Sequence, residues 1–224
     1  MYAPSGSGKT VALASLIKDI MLTPSGKSCW DRIFIWSPTV MLDPLWKTVR
    51  DFQHKHMQVP KEEDPDLYHE VFRESDLRKV VATQHRIAQL AKDRGLRTLP
   101  SILIILDDVA DDPRITRESA TLTGLYLRGR HAGISTILST QVSKVSPQIR
   151  RNITCAMYWK PRNLSDWKAI VDENSKLAGS REDMEAIFEE ATREKHSFLY
   201  IDYTAEPGHY FWANFTDQLR VSPG

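Results

Sequence analysis

A chain of 224 residues with 41% hydrophobic and 26% charged residues reads as an ordinary soluble globular protein, long enough for one domain with a proper core. A formal net charge of +1 excludes a strong overall field, so any nucleic-acid partner must be held by a local basic patch. Cys29 and Cys155 are too far apart for metal-like spacing, no signal peptide is visible, and the "ILIIL" run is far below the ~18 residues of a membrane helix; free thiols and an intracellular location are expected.

The first element is a loop, "APSGSGKT" at 3–10, and "TVALASLIKDIML" after it has helical spacing. "TPSGKS" breaks that helix, and "RIFIWSP" is a short β-rich run ended by Pro38. A helix is predicted from Pro44 with Asp43 as its cap. "VPKEEDPD" reads as a solvated, charged loop, and residues from Asp66 to about Arg94 as amphipathic helix in two pieces, ended by Gly95. "SILIILDD" is a continuous apolar run closing in two acids, the pattern of a strand buried on both faces of a parallel sheet. "ESATLTGLYLRGRHAG" predicts a helix running into a Gly-rich turn, "ISTILSTQ" and "TCAMYWK" two more buried strands, and "SPQIRRN" a short helical turn between them. Helices over "NLSDWKAIVDEN" and "REDMEAIFEEATREK" precede two strands, "SFLYIDYT" and "HYFWANF", joined at "AEPG". The alternation is that of an α/β protein: a central, mostly parallel sheet flanked by helices, one domain over 1–224, with a helical insertion around 42–98.

The loop fits the pattern G-x-x-x-x-G-K-[ST] of a phosphate-binding loop, except that Ala3 stands where Gly is usual. Ala is tolerated there if its backbone is not left-handed. Pro4, Ser5, Gly6, Ser7 and Gly8 would cradle phosphate oxygens with backbone N–H groups, Lys9 would reach the β- and γ-phosphates, and Thr10 would offer its hydroxyl to Mg²⁺. Alone, so short a pattern recurs by accident. The second element decides the matter, because a phosphate-loop NTPase needs an acid at the carboxyl end of a neighbouring buried strand. Asp107 is assigned to the Mg²⁺ shell and Asp108 to the attacking water. Gln141, after the next strand, is placed to sense the γ-phosphate or position water. Transition-state charge also calls for a cation, often an arginine from a neighbouring subunit. Arg128, Arg130, Arg150 and Arg151 are candidates, with Arg130 ranked first because its turn leads into the Gln141 strand; Gly129 and Gly133 would allow another chain to approach. Lys144, Arg150, Arg151, Lys160 and Arg162 form a local basic concentration suited to phosphate contacts with DNA, without any base-reading motif. His54 and His56 read as surface residues rather than metal ligands, and the six tryptophans as core.

"APSGSGKT", "ILIILDD", "GRHAGISTILSTQ" and "SPQIRRN", in that order, resemble the genome-packaging ATPases of large DNA viruses and virophages, the poxvirus-type members of the FtsK–HerA superfamily. The resemblance covers nearly the whole chain. It implies an ATP- and Mg²⁺-dependent motor, a homo-oligomeric ring threading double-stranded DNA into a preformed capsid, with capsid or portal partners and no membrane. On it, Lys9 and Thr10 bind nucleotide and metal, Asp107 and Asp108 are the acid pair, and Gln141 is the sensor. The infected-cell cytoplasm or viral factory, with virion association, is the implied location. Related readings are a DNA-transfer or helicase-like ATPase and a nucleotide-gated assembly protein with little turnover. Members carry a hydrophobic strand into the loop; only Met1 and Tyr2 precede it here, so the sequence is read as N-terminally truncated, with the first strand of its sheet missing.

Overall fold

The computed structural model describes residues 1–109, 115, 118–141 and 145–220. Within them the chain divides into two compact units, one of residues 9–140 with 145–149, the other of residues 1–8, Gln141 and 150–220.

The first unit begins with helix α1 (Lys9–Ser15), which runs on through a π turn at Leu16–Ile20. Strand β1 (Arg32–Trp36), helix α2 (Pro44–Lys55), helix α3 (Asp64–Leu67), strand β2 (Tyr68–His69) and helix α4 (Glu74–Asp93) follow. Strand β3 (Ile102–Asp107), helix α5 (Ala120–Arg128), a 3-10 turn at Gly129–Ala132 and strand β4 (Ile134–Ser139) complete the sheet, and the short α6 (Pro147–Arg150) begins in this unit. The sheet is entirely parallel, in the order β2-β1-β3-β4. Every residue of β3 is buried, which is why its sequence is an unbroken apolar run. β4 stands last in the order and is only partly buried: Ser135 is exposed and Thr136 and Ile137 are half-buried, so the expectation of burial on both faces fails there.

Helix α2 starts as its sequence predicts, with the Asp43 carboxylate accepting from the Leu45 N–H at 2.8 Å and Pro44 in the first turn. Its inner face carries Trp46, Val49 and Gln53. Gln53 is fully buried and completes β1 where the two-residue β2 does not reach. Its amide accepts from the Ile33 N–H (2.8 Å), donates to the Ile33 carbonyl (3.0 Å) and donates to Tyr68 Oη (2.7 Å). Residues 59–66 are not a plain solvated loop. A 3-10 turn at Lys61–Glu63 leads into α3, which buries Leu67, and Glu63 takes a bidentate pair from Arg32 at 2.6 and 3.0 Å. His54 is likewise no surface histidine: Nδ1 meets the Val59 carbonyl at 2.9 Å and Nε2 meets Asp64 at 3.1 Å. The helix expected from Asp66 is interrupted by β2, and α4 ends at a left-handed Gly95.

The second unit holds strands β5 (Cys155–Trp159), β6 (Phe198–Asp202), β7 (Phe211–Ala213) and β8 (Asp217–Leu219), an antiparallel meander in that order. Helices α7 (Leu164–Ala178) and α8 (Arg181–Ala191) are capped by the side chains of Asn163 and Ser180. Ile170, Val171, Met184, Phe188, Leu199 and Ile201 form its core, each side chain contributing about 1.5–3 kcal/mol by leaving water. Tyr2 joins this core and forms a parallel bridge to β5, its N–H donating to Met157 O (2.9 Å) and its carbonyl accepting from Trp159 N–H (3.1 Å). Cys29 and Cys155 are both free thiols. No helix among the described residues is long and apolar enough to cross a membrane.

Candidate functional site

The boundary between the units runs through the "APSGSGKT" loop, between Gly8 and Lys9. In the parallel unit, the site gathers at the carboxyl ends of the strands, the edge where open α/β sheets take ligands. Asp107 is the last residue of β3 and pairs in register with Ser139, the last of β4. Ser37 follows β1 directly, one residue beyond the Trp36–Leu106 pair. All three side chains are buried.

Lys9 is buried too, and its ammonium lies 3.2 Å from Asp107 Oδ1 and in closer contact with Asp108 Oδ1. The structure therefore brings the loop lysine onto both acids of the "DD" pair. Burial pushes the Asp107 carboxyl above the ordinary range, against the pull of the Lys9 charge. Ser37 Oγ stands 3.5 Å from Asp107 Oδ2, at the outer limit of a hydrogen bond. Ser139 Oγ lies near enough to favour the carboxylate electrostatically, yet it finds no partner at hydrogen-bonding geometry among the described residues, and neither does Asp107 Oδ1. The buried Ser139 hydroxyl, without a hydrogen-bond partner among the described residues, and the Asp107 carboxylate, whose Oδ1 has the Lys9 ammonium at 3.2 Å, fit a small hard cation that keeps part of its water shell. Thr10, half-buried in the first turn of α1, is the other hydroxyl at hand in sequence. Asp108 has φ 52°, a left-handed conformation rare outside Gly, Asn and Asp. Such strain persists where the surroundings impose it.

In the other unit, Pro4–Ser7 form a tight turn. The Pro4 carbonyl accepts from the Ser7 hydroxyl (2.7 Å) and the Ser7 N–H (3.3 Å). Ser5 and Gly6 are exposed at the crest. Ala3 is buried and not left-handed, which is the condition under which Ala replaces Gly there. Gly8 has φ 93°, and a Cβ built on it would meet His196 Cβ at 3.4 Å. His196 is itself left-handed (φ 70°), its carbonyl held by the buried Trp159 indole N–H at 3.1 Å. Arg162 donates from Nη2 to the Ser5 carbonyl at 2.9 Å. Gln141 belongs to this unit and is half-buried.

Arg130 and Arg128 are both exposed near the 3-10 turn. The flanking glycines pack closely against this chain's own backbone. Gly129 is buried, with a Cβ position 3.3 Å from Ile134 O, and a Cβ on left-handed Gly133 would lie 2.7 Å from Pro100 O. Arg150 pairs with Glu173 at 3.4 Å, Arg151 is exposed, and Lys144 lies outside the described residues. His54 and His56 join no metal-binding group among the described residues. Sequence reasoning missed Ser37, Ser139 and His196 as site residues and read Arg162 only as part of a basic concentration suited to DNA; the strand-end position of Ser139, level with Asp107, was a usable signal.

The profile of the family described as Poxvirus A32 protein matches residues 1–205. The chain belongs to that family. It is a family of viral packaging ATPases, so nucleotide use and a general role in DNA packaging come with membership. No curated protein matches the chain.

Proposed function

We propose that this chain is the ATP-hydrolysing motor that moves double-stranded viral DNA into a preformed capsid. The observation that carries the reading is the cluster of buried Lys9 and Asp107 with half-buried Asp108 at the carboxyl edge of the parallel sheet, in a chain of the packaging family. Pro4–Gly8 cradle the phosphates of ATP with backbone N–H groups, and Lys9 exchanges its carboxylate partners for phosphate oxygens. Thr10 and Asp107 would hold Mg²⁺, which when bound would neutralise charge on the phosphates. Asp108 takes the proton from the water that attacks the γ-phosphorus as the bond to the β-phosphate oxygen breaks, giving ADP and phosphate. Gln141 orients that water, and Arg130 is the cation given across a subunit interface of a homo-oligomeric ring. Residues 1–224 act as one ATPase domain with a helical insertion around 42–98. Capsid or portal proteins are its partners, and the infected-cell cytoplasm or viral factory, with virion association, its place.

The test is ATP hydrolysis by the purified chain with and without double-stranded DNA. Hydrolysis stimulated by DNA and abolished in Lys9→Ala is expected. Nucleotide binding without turnover under either condition would overturn the motor reading.

A further inference from the structure

We infer that Arg162 is a phosphate-contacting cation of the nucleotide site, supplied by the same chain that carries the loop. This rests on the nucleotide reading of "APSGSGKT".

Three contacts within one unit tie the loop to a single stretch of chain, the link from β5 to α7. Tyr2, just ahead of the loop, bridges to β5, and its hydroxyl donates to Asp166 Oδ2 at 2.8 Å in the first turn of α7. Arg162 stands between these two anchors, and its guanidinium donates to the Ser5 carbonyl at the loop crest. The link gives Arg162 little freedom: Pro161 restricts the backbone before it, and Asn163 after it is fixed as the α7 cap, its Oδ1 accepting from the Asp166 N–H at 2.7 Å.

The charge balance then points to an anion. A guanidinium carries five N–H donors, of which one is used among the described residues, on a neutral carbonyl. No carboxylate among the described residues forms an ion pair with Arg162, whereas Arg32, Arg150, Arg181 and Arg193 each have one. The side chain is exposed, which leaves its remaining donors accessible to a ligand. A permanent cation bonded to a loop whose own N–H groups are built for phosphate adds to the attraction for the most highly charged ligand. A triphosphate gains more from it than a diphosphate.

The blander role, a strut holding Ser5, predicts equal losses for all nucleotides. Three full-length proteins separate the two: wild type, Arg162→Gln, which keeps an N–H donor for Ser5 without charge, and Arg162→Lys, which keeps charge without the fork. Affinities for ADP and for the non-hydrolysable imido analogue of ATP are measured by titration at fixed Mg²⁺, with thermal melting of the free proteins alongside. The expected result is a loss of about 10–100-fold for the triphosphate in Arg162→Gln, the scale of one charged hydrogen bond. ADP should change by under about 3-fold, Arg162→Lys should recover most of the difference, and melting should not move. Equal losses for both nucleotides, or no loss, would overturn the phosphate role of Arg162 alone. Wild-type protein that binds neither nucleotide would overturn the nucleotide reading with it.

Discussion

Asp108 combines a left-handed backbone, a partly exposed carboxylate and contact with the loop lysine. Asn is at home in that conformation and keeps the side chain's shape. Asp108→Asn should therefore fold as the wild type and bind ATP, while turnover falls by about 100-fold or more through loss of the general base. Turnover assays beside nucleotide titration check this, and an unchanged rate would remove Asp108 from the mechanism. Ser139 makes the opposite kind of case. Its buried hydroxyl has no partner at hydrogen-bonding geometry among the described residues, so deleting it relieves the ligand-free protein of a desolvated polar group. Ser139→Ala should leave urea stability unchanged or raise it by up to ~1 kcal/mol. The same change should raise several-fold the Mg²⁺ concentration needed for half-maximal ATP binding, with metal-free binding unaltered. Lower urea stability with an unmoved Mg²⁺ midpoint would make Ser139 a packing residue.

At the scale of elements, much was legible. The loop, the acid-tipped β3, the Asp43–Pro44 start of α2 and the Gly95 stop of α4 all carry local signals in the residues themselves. What was not legible is the work of polar side chains on otherwise apolar helix faces. Gln53 reads as a solvent-facing position by type, yet it replaces a strand partner for Ile33; Gln84 likewise donates to the Pro100 (2.7 Å) and Ala132 (2.8 Å) carbonyls. Gln53→Leu should cost about 2–4 kcal/mol in urea unfolding, because the Ile33 N–H and C=O are left buried and unpaired. A loss under about 0.5 kcal/mol would mean water replaces the amide. The segment at 61–67 was misread for a related reason: its charges look solvated, but Glu63 is spent on Arg32. That pair holds the Glu63 carboxyl below its usual 4.5. A depressed carboxyl contributes stability that is fully present above the ordinary value and fades as pH falls through the lowered one. The melting difference between wild type and Glu63→Gln should thus be constant above pH 4.5 and close below it. A difference that persists in acid would assign it to packing.

For the whole molecule, the sequence shows strands but not which of them pair. "ILIIL" and "CAMYW" look alike as apolar runs, yet β3 sits in a parallel sheet and β5 in an antiparallel meander, because pairing depends on chain connections that local pattern does not encode. The same limit applies between chains. Arg130 is exposed, and no carboxylate among the described residues forms an ion pair with it. A ring offers the alternative that one subunit's arginine serves the next subunit's nucleotide. Arg130→Ala retains its own phosphate loop and acids but offers no finger; Lys9→Ala offers a finger but cannot hold its own phosphate. Each alone should be nearly inactive. Mixed in equal amounts they should regain DNA-stimulated hydrolysis, since interfaces then arise in which an intact loop meets an intact arginine. Recovery should follow the mixing ratio and peak near equal proportions, as random assembly requires. Absence of recovery at any ratio, with both variants shown to co-assemble by light scattering, would remove Arg130 as a finger acting across the interface.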